Sequence, residues 1–268
     1  MYSLTYCRAQ TLAEARDLLA NNADAKLLAG GMSLIPTLKQ RLAAPSMLVD
    51  IGQLAELRGL SMKGESLFIG AGTRHFEVAR SELVRQKIPA LASLASNIGD
   101  PQVRNQGTIG GSVAHNDPVA DYPSAVLALN ATIQTVNREI AAENFFRGMF
   151  ETALEPGEII TGIVFPIPDR AAYQKFPHPA SGYAMTGVFV ADFKGSVRVA
   201  VTGAGPGVFR WKEAEAALAK KFSARSMEDL SVPPDGLNRD LHAPAEYRAN
   251  LVSVMARRAV AAIEAAAR

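Results

Sequence analysis

The stretch Gly107-Thr108-Ile109-Gly110-Gly111-Ser112-Val113-Ala114-His115-Asn116-Asp117-Pro118-Val119-Ala120-Asp121 decides the organisation of this chain. Its glycine pair frees the backbone to adopt positive φ and lets a ligand approach main-chain N–H groups. Successive free N–H groups form a concave surface that suits a phosphate. Asp117 and Asp121 add carboxylates that can accept hydrogen bonds from hydroxyls. The pattern predicts a sugar-phosphate site, and the alternative is a tight turn before a helix that Asp121 caps.

A second glycine pair lies upstream, in Leu27-Leu28-Ala29-Gly30-Gly31-Met32-Ser33-Leu34-Ile35-Pro36. An apolar run precedes the pair, and a helical pattern that we expect Ser33 to cap follows it over Leu34 to Leu42. Such a turn directs free N–H groups and a helix N-terminus to one place, which makes an anion site. Two glycine turns could hold two faces of one pyrophosphate, although neither matches the Rossmann or P-loop fingerprint.

Composition places the chain among ordinary globular proteins. Its 268 residues are enough for two domains, with 48% hydrophobic and 20% charged residues. The net charge of +2 gives by itself no reason to expect a polyanionic partner. The sequence contains no run of 18 apolar residues, so no membrane span is expected. The first 16 residues lack a basic start followed by an apolar stretch, so no signal peptide is evident and a cytoplasmic location is expected.

Cysteine and histidine usage limits the chemistry of this chain. Cys7 is the only cysteine, so no intrachain disulfide can form, and an iron–sulfur cluster needs about four thiolates. His75, His115, His178 and His242 show neither helical nor zinc-finger spacing, so no dedicated metal site is expected. Redox chemistry in this protein should therefore come from an organic cofactor.

Several local patterns predict secondary structure. Thr11 and Glu14 form a capping box ahead of an amphipathic helix. Residues 58–62 and 66–70 indicate a hairpin, and Thr73 is expected to cap a helix that runs through Arg80. Residues 183–193 and 197–202 read as paired strands, and Ala243 to Arg268 as a long helix.

Three motifs carry a resemblance to a known family. Ala29-Gly30-Gly31-x-Ser33, the stretch from Arg104 to Gly111, and Asp117-Pro118-x-x-Asp121 resemble the FAD-binding subunit of molybdenum hydroxylases. The chain most resembles the medium subunit of aerobic carbon monoxide dehydrogenase and is more distantly similar to the flavin domain of xanthine dehydrogenase.

The resemblance implies an α+β fold and a division of the chain. The expected first domain is a two-subdomain FAD-binding fold of the PCMH/vanillyl-alcohol-oxidase type over residues 1–170, with subdomains 1–55 and 56–170. A smaller α/β C-terminal domain, of the type found in carbon monoxide dehydrogenase flavoproteins, would cover 171–268. Pro166 and Pro168 interrupt the pattern near this boundary.

The resemblance also implies how FAD would be held, extended between the first two subdomains. One side of the pyrophosphate would meet the first glycine turn, and the other side would meet the second. Asp117, with Ala114, would lie near the phosphate and ribityl groups, and Asp121 near the sugar or ribityl hydroxyls. Two isoleucines would flank the isoalloxazine ring or adenine, and a lysine would reach the cofactor. The expected cofactor-binding residues are Ala29, Gly30, Gly31, Met32, Ser33, Leu34, Thr108, Ile109, Gly110, Gly111, Ser112, Ala114, Asp117, Asp121, Ile159, Ile160 and Lys175.

Residue chemistry alone leaves alternatives for some of these positions. Ile159 and Ile160 could be core strand residues, and Lys175 a solvated surface charge. A Cβ at the glycines is expected to fill the space that the phosphates need. The family commonly has glutamine or histidine at Met32, asparagine at Ser112, and an arginine and an aspartate at Pro179 and Gly182. The last two departures leave the electron acceptor open.

The implied function is electron transfer. The family arrangement has a large subunit with molybdopterin and a small subunit with two [2Fe–2S] clusters, assembled as a dimer of heterotrimers. FAD on this chain would take electrons from the clusters for quinone, NAD or oxygen, so no catalytic acid or base is expected here. One alternative is a self-contained flavin oxidoreductase, for which His115 is the nearby candidate base. Another is a cofactor-free assembly scaffold.

Overall fold

Residues 1–266 are described by a computed structural model, in which helices and strands alternate over residues 5–50 and mostly form runs of consecutive helices or consecutive strands thereafter. The N-terminal unit is a three-stranded parallel sheet in the order β1-β3-β2. Thr11 accepts a hydrogen bond from the amide of Glu14 at the start of the first helix, which confirms the hydroxyl half of the predicted capping box, whereas the Glu14 carboxylate accepts from the amide of Gln10. The elements are β1 (Thr5–Arg8), α1 (Leu12–Asn21), β2 (Lys26–Leu28), α2 (Leu34–Lys39) and β3 (Met47–Asp50).

The middle unit is a five-stranded antiparallel sheet covered by short helices. Its strand order is β4-β5-β10-β6-β7, and the predicted hairpin of β4 and β5 is confirmed. The strands are β4 (Leu60–Lys63), β5 (Ser66–Gly70), β6 (Thr132–Thr135), β7 (Glu139–Ala141) and β10 (Ile160–Pro166), with a separate hairpin of β8 (Phe146–Gly148) and β9 (Glu151–Thr152). The helices are α3 (His75–Arg80), α4 (Glu82–Lys87), α5 (Pro89–Ser96), α6 (Pro101–Gln106), α7 (Ile109–His115), α8 (Tyr122–Ala128) and α9 (Ala142–Phe145).

The C-terminal unit is an antiparallel meander with two helices. The strands pair in the order β11-β12-β13-β14, and pairing of the two predicted strands is confirmed. These elements are β11 (Arg170–Pro177), β12 (Ala184–Phe193), β13 (Ser196–Thr202), β14 (Phe209–Arg210), α10 (Lys212–Lys220) and α11 (Ala245–Ala266). Residues 267 and 268 of the long predicted C-terminal helix lie outside the described residues.

Strand β12 joins the middle and C-terminal units because both of its faces are buried. Phe189 and Ala191 pack into the large core cluster with the middle sheet, whereas Val188 and Val190 pack against the C-terminal helices. Successive side chains of a strand point to opposite faces, so one apolar strand serves two cores. Ile159, just before β10, packs into the core of the N-terminal unit.

Two predicted helix caps are wrong. Ser33 makes no side-chain cap bond to α2. Thr73 lies before the helix start, with Arg74 at the N-cap, and its hydroxyl bonds to the carbonyl of Gly59. The Thr73 hydroxyl, which has a partner elsewhere in the fold, is no longer available to its own helix.

None of the helices in the described part of the chain has the length and apolar character needed to cross a membrane.

Candidate functional site

A cavity of about 540 Å³ is lined by both glycine turns. Its wall includes residues of the N-terminal unit, the helical layer of the middle unit and the connection between β11 and β12. Fifteen of the seventeen expected cofactor-binding residues line it, namely Ala29, Gly30, Gly31, Met32, Ser33, Leu34, Thr108, Gly110, Gly111, Ser112, Ala114, Asp117, Asp121, Ile159 and Ile160. The other two, Ile109 and Lys175, lie behind the wall.

The first glycine turn presents a run of unpaired amides to this cavity. Strand β2 ends at Leu28, Gly31 adopts a φ of +71°, and α2 begins at Leu34. Within residues 1–266, the N–H groups of residues 30–34 donate to no acceptor. Four of these five residues are half-buried and Met32 is exposed, and a helix start orients free amides of this kind toward an anion. The turn therefore has the donor set that a phosphate ligand requires.

The second glycine turn is different because the fold already uses its amides. The N–H of Ile109 donates to the carbonyl of Thr73, and that of Gly110 to Ala71. The N–H of Gly111 donates to the hydroxyl of Thr108, which caps α7. Ile109 itself is fully buried in the core. This turn therefore offers the cavity surface and side chains, while the first turn offers amide donors.

The glycines matter for a reason other than the expected one. A Cβ on Gly30 would collide with the carbonyl oxygen of Gln106 and lie 2.8 Å from the Cα of Gly107. A Cβ on Gly110 would lie 2.5 Å from the Cβ of Ala71. The expectation that these Cβ atoms would fill phosphate space is therefore wrong. Both glycines let one protein backbone approach another, and Gly30 brings the two turns into contact.

Asp121 does not cap the helix that follows it. Its side chain makes no cap bond to α8 and is only 3% exposed. Its Oδ1 accepts from the hydroxyl of Tyr173 at 2.6 Å and lies 2.9 Å from Nζ of Lys175. Both protein contacts fall on Oδ1, so Oδ2 has no donor among the described residues and remains available on the cavity wall.

Lys175 is a buried counter-ion and not a solvated surface charge. Its side chain is 8% exposed, and Nζ also donates to the carbonyls of Asn97 at 2.7 Å and Gly182 at 3.1 Å. Burial raises the pKa of Asp121, and the charge of Lys175 and the hydrogen bond from Tyr173 oppose that rise. Burial also raises the pKa of Tyr173 well above its usual value, so its hydroxyl stays a donor at neutral pH.

Tyr173 is a residue that the sequence interpretation missed. It lies two positions before Lys175 on β11, so both side chains point to the same face of that strand. The alternation of side chains along a strand could have placed Tyr173 and Lys175 on one face of β11, but it does not reveal that both contact Asp121. The same limit applies to Tyr183 and His75, which line the cavity from segments distant in the sequence.

An ion pair between the buried carboxylate of Glu158 and the exposed Arg138 supports the isoleucine wall. Glu158 accepts from the guanidinium of Arg138 through both oxygens, at 3.0 Å each. The hydrogen bonds from Arg138, with those from the Glu155 amide and the Thr135 hydroxyl, outweigh desolvation and lower the pKa of Glu158 to about 2. Ile159 and Ile160 follow directly, buried in two core clusters while they line the cavity. Core packing and cavity lining are thus compatible at both positions.

Asp117 and His115 line the cavity and are less buried than Asp121. Oδ1 of Asp117 accepts from the amide of Val119 at 3.0 Å, which stabilises the turn before α8. His115 is exposed, and its ring packs against that of Phe150 with centroids 5.0 Å apart and planes inclined by 42°. Arg104 donates to the carbonyls of Ile98 and Gly99, so its head is used to close the turn after α5.

Comparison with known proteins finds one family over the N-terminal and middle units. Residues 2–168 match the sequence profile described as the FAD binding domain in molybdopterin dehydrogenase. The chain is 34% identical to the glyceraldehyde dehydrogenase medium chain of Sulfolobus acidocaldarius, over 91% of this chain and 90% of that protein. It is 33% identical to the nicotine 6-hydroxylase medium subunit of Paenarthrobacter nicotinovorans, over 99% and 98%.

A solved structure shows the same likeness in three dimensions. The chain superposes with a TM-score of 0.88 on a chain of carbon monoxide dehydrogenase from Hydrogenophaga pseudoflava, in a form that lacks the Mo-pyranopterin moiety of the molybdenum cofactor. The sequences are 35% identical, and 98% of each chain is covered. The names of these three relatives refer to chemically different compounds, namely glyceraldehyde, nicotine and carbon monoxide.

Proposed function

This chain belongs to the family of FAD binding domains in molybdopterin dehydrogenase, and from that premise we propose that it is an electron-transfer subunit of a molybdenum-containing hydroxylase or dehydrogenase. The proposed complex adds a molybdopterin-binding large subunit and a small subunit with [2Fe–2S] clusters. Bound FAD would supply the redox chemistry, taking electrons from the clusters for an external acceptor.

The observation that carries this proposal is the first glycine turn. Its five successive amides without partners, at residues 30–34, face a cavity of about 540 Å³. A pyrophosphate has several acceptor oxygens and a negative charge, so it suits such a donor run at a helix start. The residues present therefore fit FAD on their own chemistry.

The remaining wall fits the other parts of the cofactor. Asp117 and Asp121 offer carboxylate oxygens that can accept from ribityl or ribose hydroxyls. Ile159 and Ile160 offer an apolar surface suited to a planar ring and exclude water from it. Lys175 and Tyr173 hold Asp121 in place from behind, so Lys175 acts through the aspartate rather than by direct contact.

The division of labour follows from what the chain carries. Cys7 cannot hold a cluster alone, so iron–sulfur groups must lie on another chain. His115 is exposed and packs at a tilt against Phe150, and no hydrogen bond from the described residues orients its imidazole as a base beside the flavin would require. We infer that substrate oxidation occurs on the large subunit and that this chain binds, orients and shields the flavin.

The finer organisation is part of the same proposal. Subdomains 1–55 and 56–170 would close around the cofactor, and residues 171–268 would form the C-terminal domain. The assembly would be a cytoplasmic dimer of heterotrimers. Relatives named for glyceraldehyde, nicotine and carbon monoxide support a shared medium chain with varied large subunits, so the substrate of this complex stays open.

An anaerobic reduction experiment tests the proposal. The purified chain is loaded with FAD and mixed with carbon monoxide, an aldehyde or an N-heterocycle, with and without co-expressed partner subunits, while flavin absorbance is followed. Bleaching only when the partners are present is expected. Bleaching by a substrate with this chain alone would support the self-contained oxidoreductase, and failure to retain any flavin would support the scaffold.

A further inference from the structure

His75 lies at the junction of the two glycine turns. It is the first residue of α3, lines the cavity and is 4% exposed. Its amide donates to the carbonyl of Gly107 at 3.0 Å. A Cβ on Gly107 would lie 2.5 Å from Nε2 of His75, and the Cα of Gly107 packs against Gly30. The Nε2 edge of the imidazole therefore lies beside the place where the turns meet.

The other ring nitrogen has an incomplete set of contacts. Nδ1 of His75 is buried and has no hydrogen-bond partner among residues 1–266, and the same holds for the hydroxyl of Tyr122. The two rings are neighbours, with centroids 5.3 Å apart and planes inclined by 48°. Buried polar atoms without partners cost free energy, so two of them on adjacent rings, one an acceptor and one a donor, call for an explanation.

The environment keeps His75 neutral. Burial lowers its pKa to about 4, and the positive charge of Arg104 acts in the same direction. A neutral imidazole carries one N–H, and the hydrogen bond made by one nitrogen decides which nitrogen bears it. Burial raises the pKa of Tyr122, so its hydroxyl is a donor at neutral pH. A phenol that donates to Nδ1 places the histidine proton on Nε2.

We propose that His75 is a cofactor-binding residue whose Nε2–H donates to the dinucleotide pyrophosphate, and that Tyr122 is the positioning residue that holds Nδ1 as acceptor. The proposal requires a small ring rotation or one bridging water to join the phenol to the imidazole, since the two atoms make no direct hydrogen bond. This inference rests on the proposed function, because it requires FAD in the cavity. It gives the second turn a side-chain donor, where its own amides are consumed by the fold.

Three variants test the proposal in the FAD-free chain. His75→Phe removes the donor and keeps a planar ring, His75→Gln returns an amide N–H near the same position, and Tyr122→Phe removes only the hydroxyl. His242→Phe, at an exposed position that does not line the cavity, controls for loss of an imidazole. FAD affinity is measured by quenching of flavin fluorescence, the pyrophosphate by ³¹P NMR, and the His75 tautomer by ¹⁵N NMR.

The expected results follow from one charge-assisted hydrogen bond. His75→Phe should weaken FAD binding about tenfold or more and shift a ³¹P resonance of bound FAD, while His75→Gln should recover most of the affinity. The wild-type chain should show the Nε2–H tautomer, and Tyr122→Phe should lose it in part. His242→Phe should change none of these readouts.

Several outcomes would overturn the proposal. Wild-type affinity in both His75→Phe and Tyr122→Phe would exclude the contact, as would an Nδ1–H tautomer in the FAD-bound wild-type chain. If His75→Phe does not fold, the tautomer and the ³¹P spectrum of Tyr122→Phe decide the matter. A wild-type chain that does not bind FAD would refute the proposed function itself, which distinguishes the two failures.

Discussion

Replacement of Lys175 by methionine should destabilise the chain through a charge left behind in the protein. The side chain of Lys175 is 8% exposed and that of Asp121 is 3% exposed, with 2.9 Å between Nζ and Oδ1. Methionine has similar length and no charge, so Lys175→Met leaves the carboxylate buried without its counter-ion. The variant also removes a donor from the carbonyl of Gly182.

The magnitude follows from the burial of the pair. Removing one partner of a buried ion pair costs about 3–5 kcal/mol of the free energy of unfolding. Tyr173 still donates to Asp121 in the variant, which favours the lower end, about 3 kcal/mol at pH 8. This loss should exceed that of the exposed-lysine control Lys87→Met, which should stay within about 0.5 kcal/mol.

The pH dependence gives a sharper test than the magnitude. Burial already raises the pKa of Asp121, and loss of Lys175 must raise it further. A carboxyl whose pKa is higher in the folded state favours folding at low pH, and that contribution is lost as pH rises through the folded pKa. The loss in free energy of unfolding caused by Lys175→Met should therefore shrink as the pH is lowered from 8 through the pKa of Asp121 in the folded variant.

Urea unfolding of the FAD-free chain, followed by circular dichroism at several pH values, measures these effects. The double variant Asp121→Asn/Lys175→Met carries neither charge and should recover at least half of the loss. Asp121→Asn alone should be costly, because it leaves Lys175 buried without a counter-ion. A small loss in Lys175→Met, or one that neither low pH nor the second substitution relieves, would refute the ion-pair reasoning.

Three further predictions concern the turns, the isoleucine wall and the cofactor. Gly30→Ala should separate the glycine turns and so lower both the free energy of unfolding and FAD affinity. In the control Gly207→Ala the new Cβ meets nothing within 4 Å, so that variant should be neutral. Equal stability of the two variants would show that the close approach of Gly30 to the backbone of Gln106 does not constrain the residue at position 30. Glu158→Gln should lower the free energy of unfolding at pH 7 by about 2 kcal/mol, since the folded carboxylate has a depressed pKa. That wild-type advantage is present above the unfolded pKa of 4.5 and lost as pH falls toward about 2, so a pH-independent difference would count against the pair with Arg138. Acid extraction should release FAD, and recovery of FMN alone would contradict the pyrophosphate assignment.

The sequence was sufficient to indicate the family and the cofactor. Paired glycines next to an apolar run, and two aspartates four residues apart, are local patterns whose chemistry can be read from neighbouring residues. Their resemblance to the flavin subunits of molybdenum hydroxylases predicted a relationship that the comparisons confirm. The cap at Thr11 was predictable for the same reason, since its partner Glu14 is three residues away.

Only the tertiary structure separated the roles of the two similar glycine turns. Both sequences predict free amides, but the segment that follows β5 supplies the carbonyls of Ala71 and Thr73, to which the amides of Gly110 and Ile109 donate. The first turn meets no such acceptor among the described residues, so its amides remain for a ligand. Which N–H groups are free depends on what packs beside a turn, and sequence spacing does not contain that information.

The same reason explains the residues that were misread or missed. Asp121 has the position of a helix cap, yet Tyr173 and Lys175, more than fifty residues later, take its carboxylate into the protein interior. His75 has no motif around it and reaches the cavity because α3 packs against the second glycine turn. Local hydrogen bonds follow from sequence spacing, whereas bonds between distant segments exist only once the sheets and helices have packed.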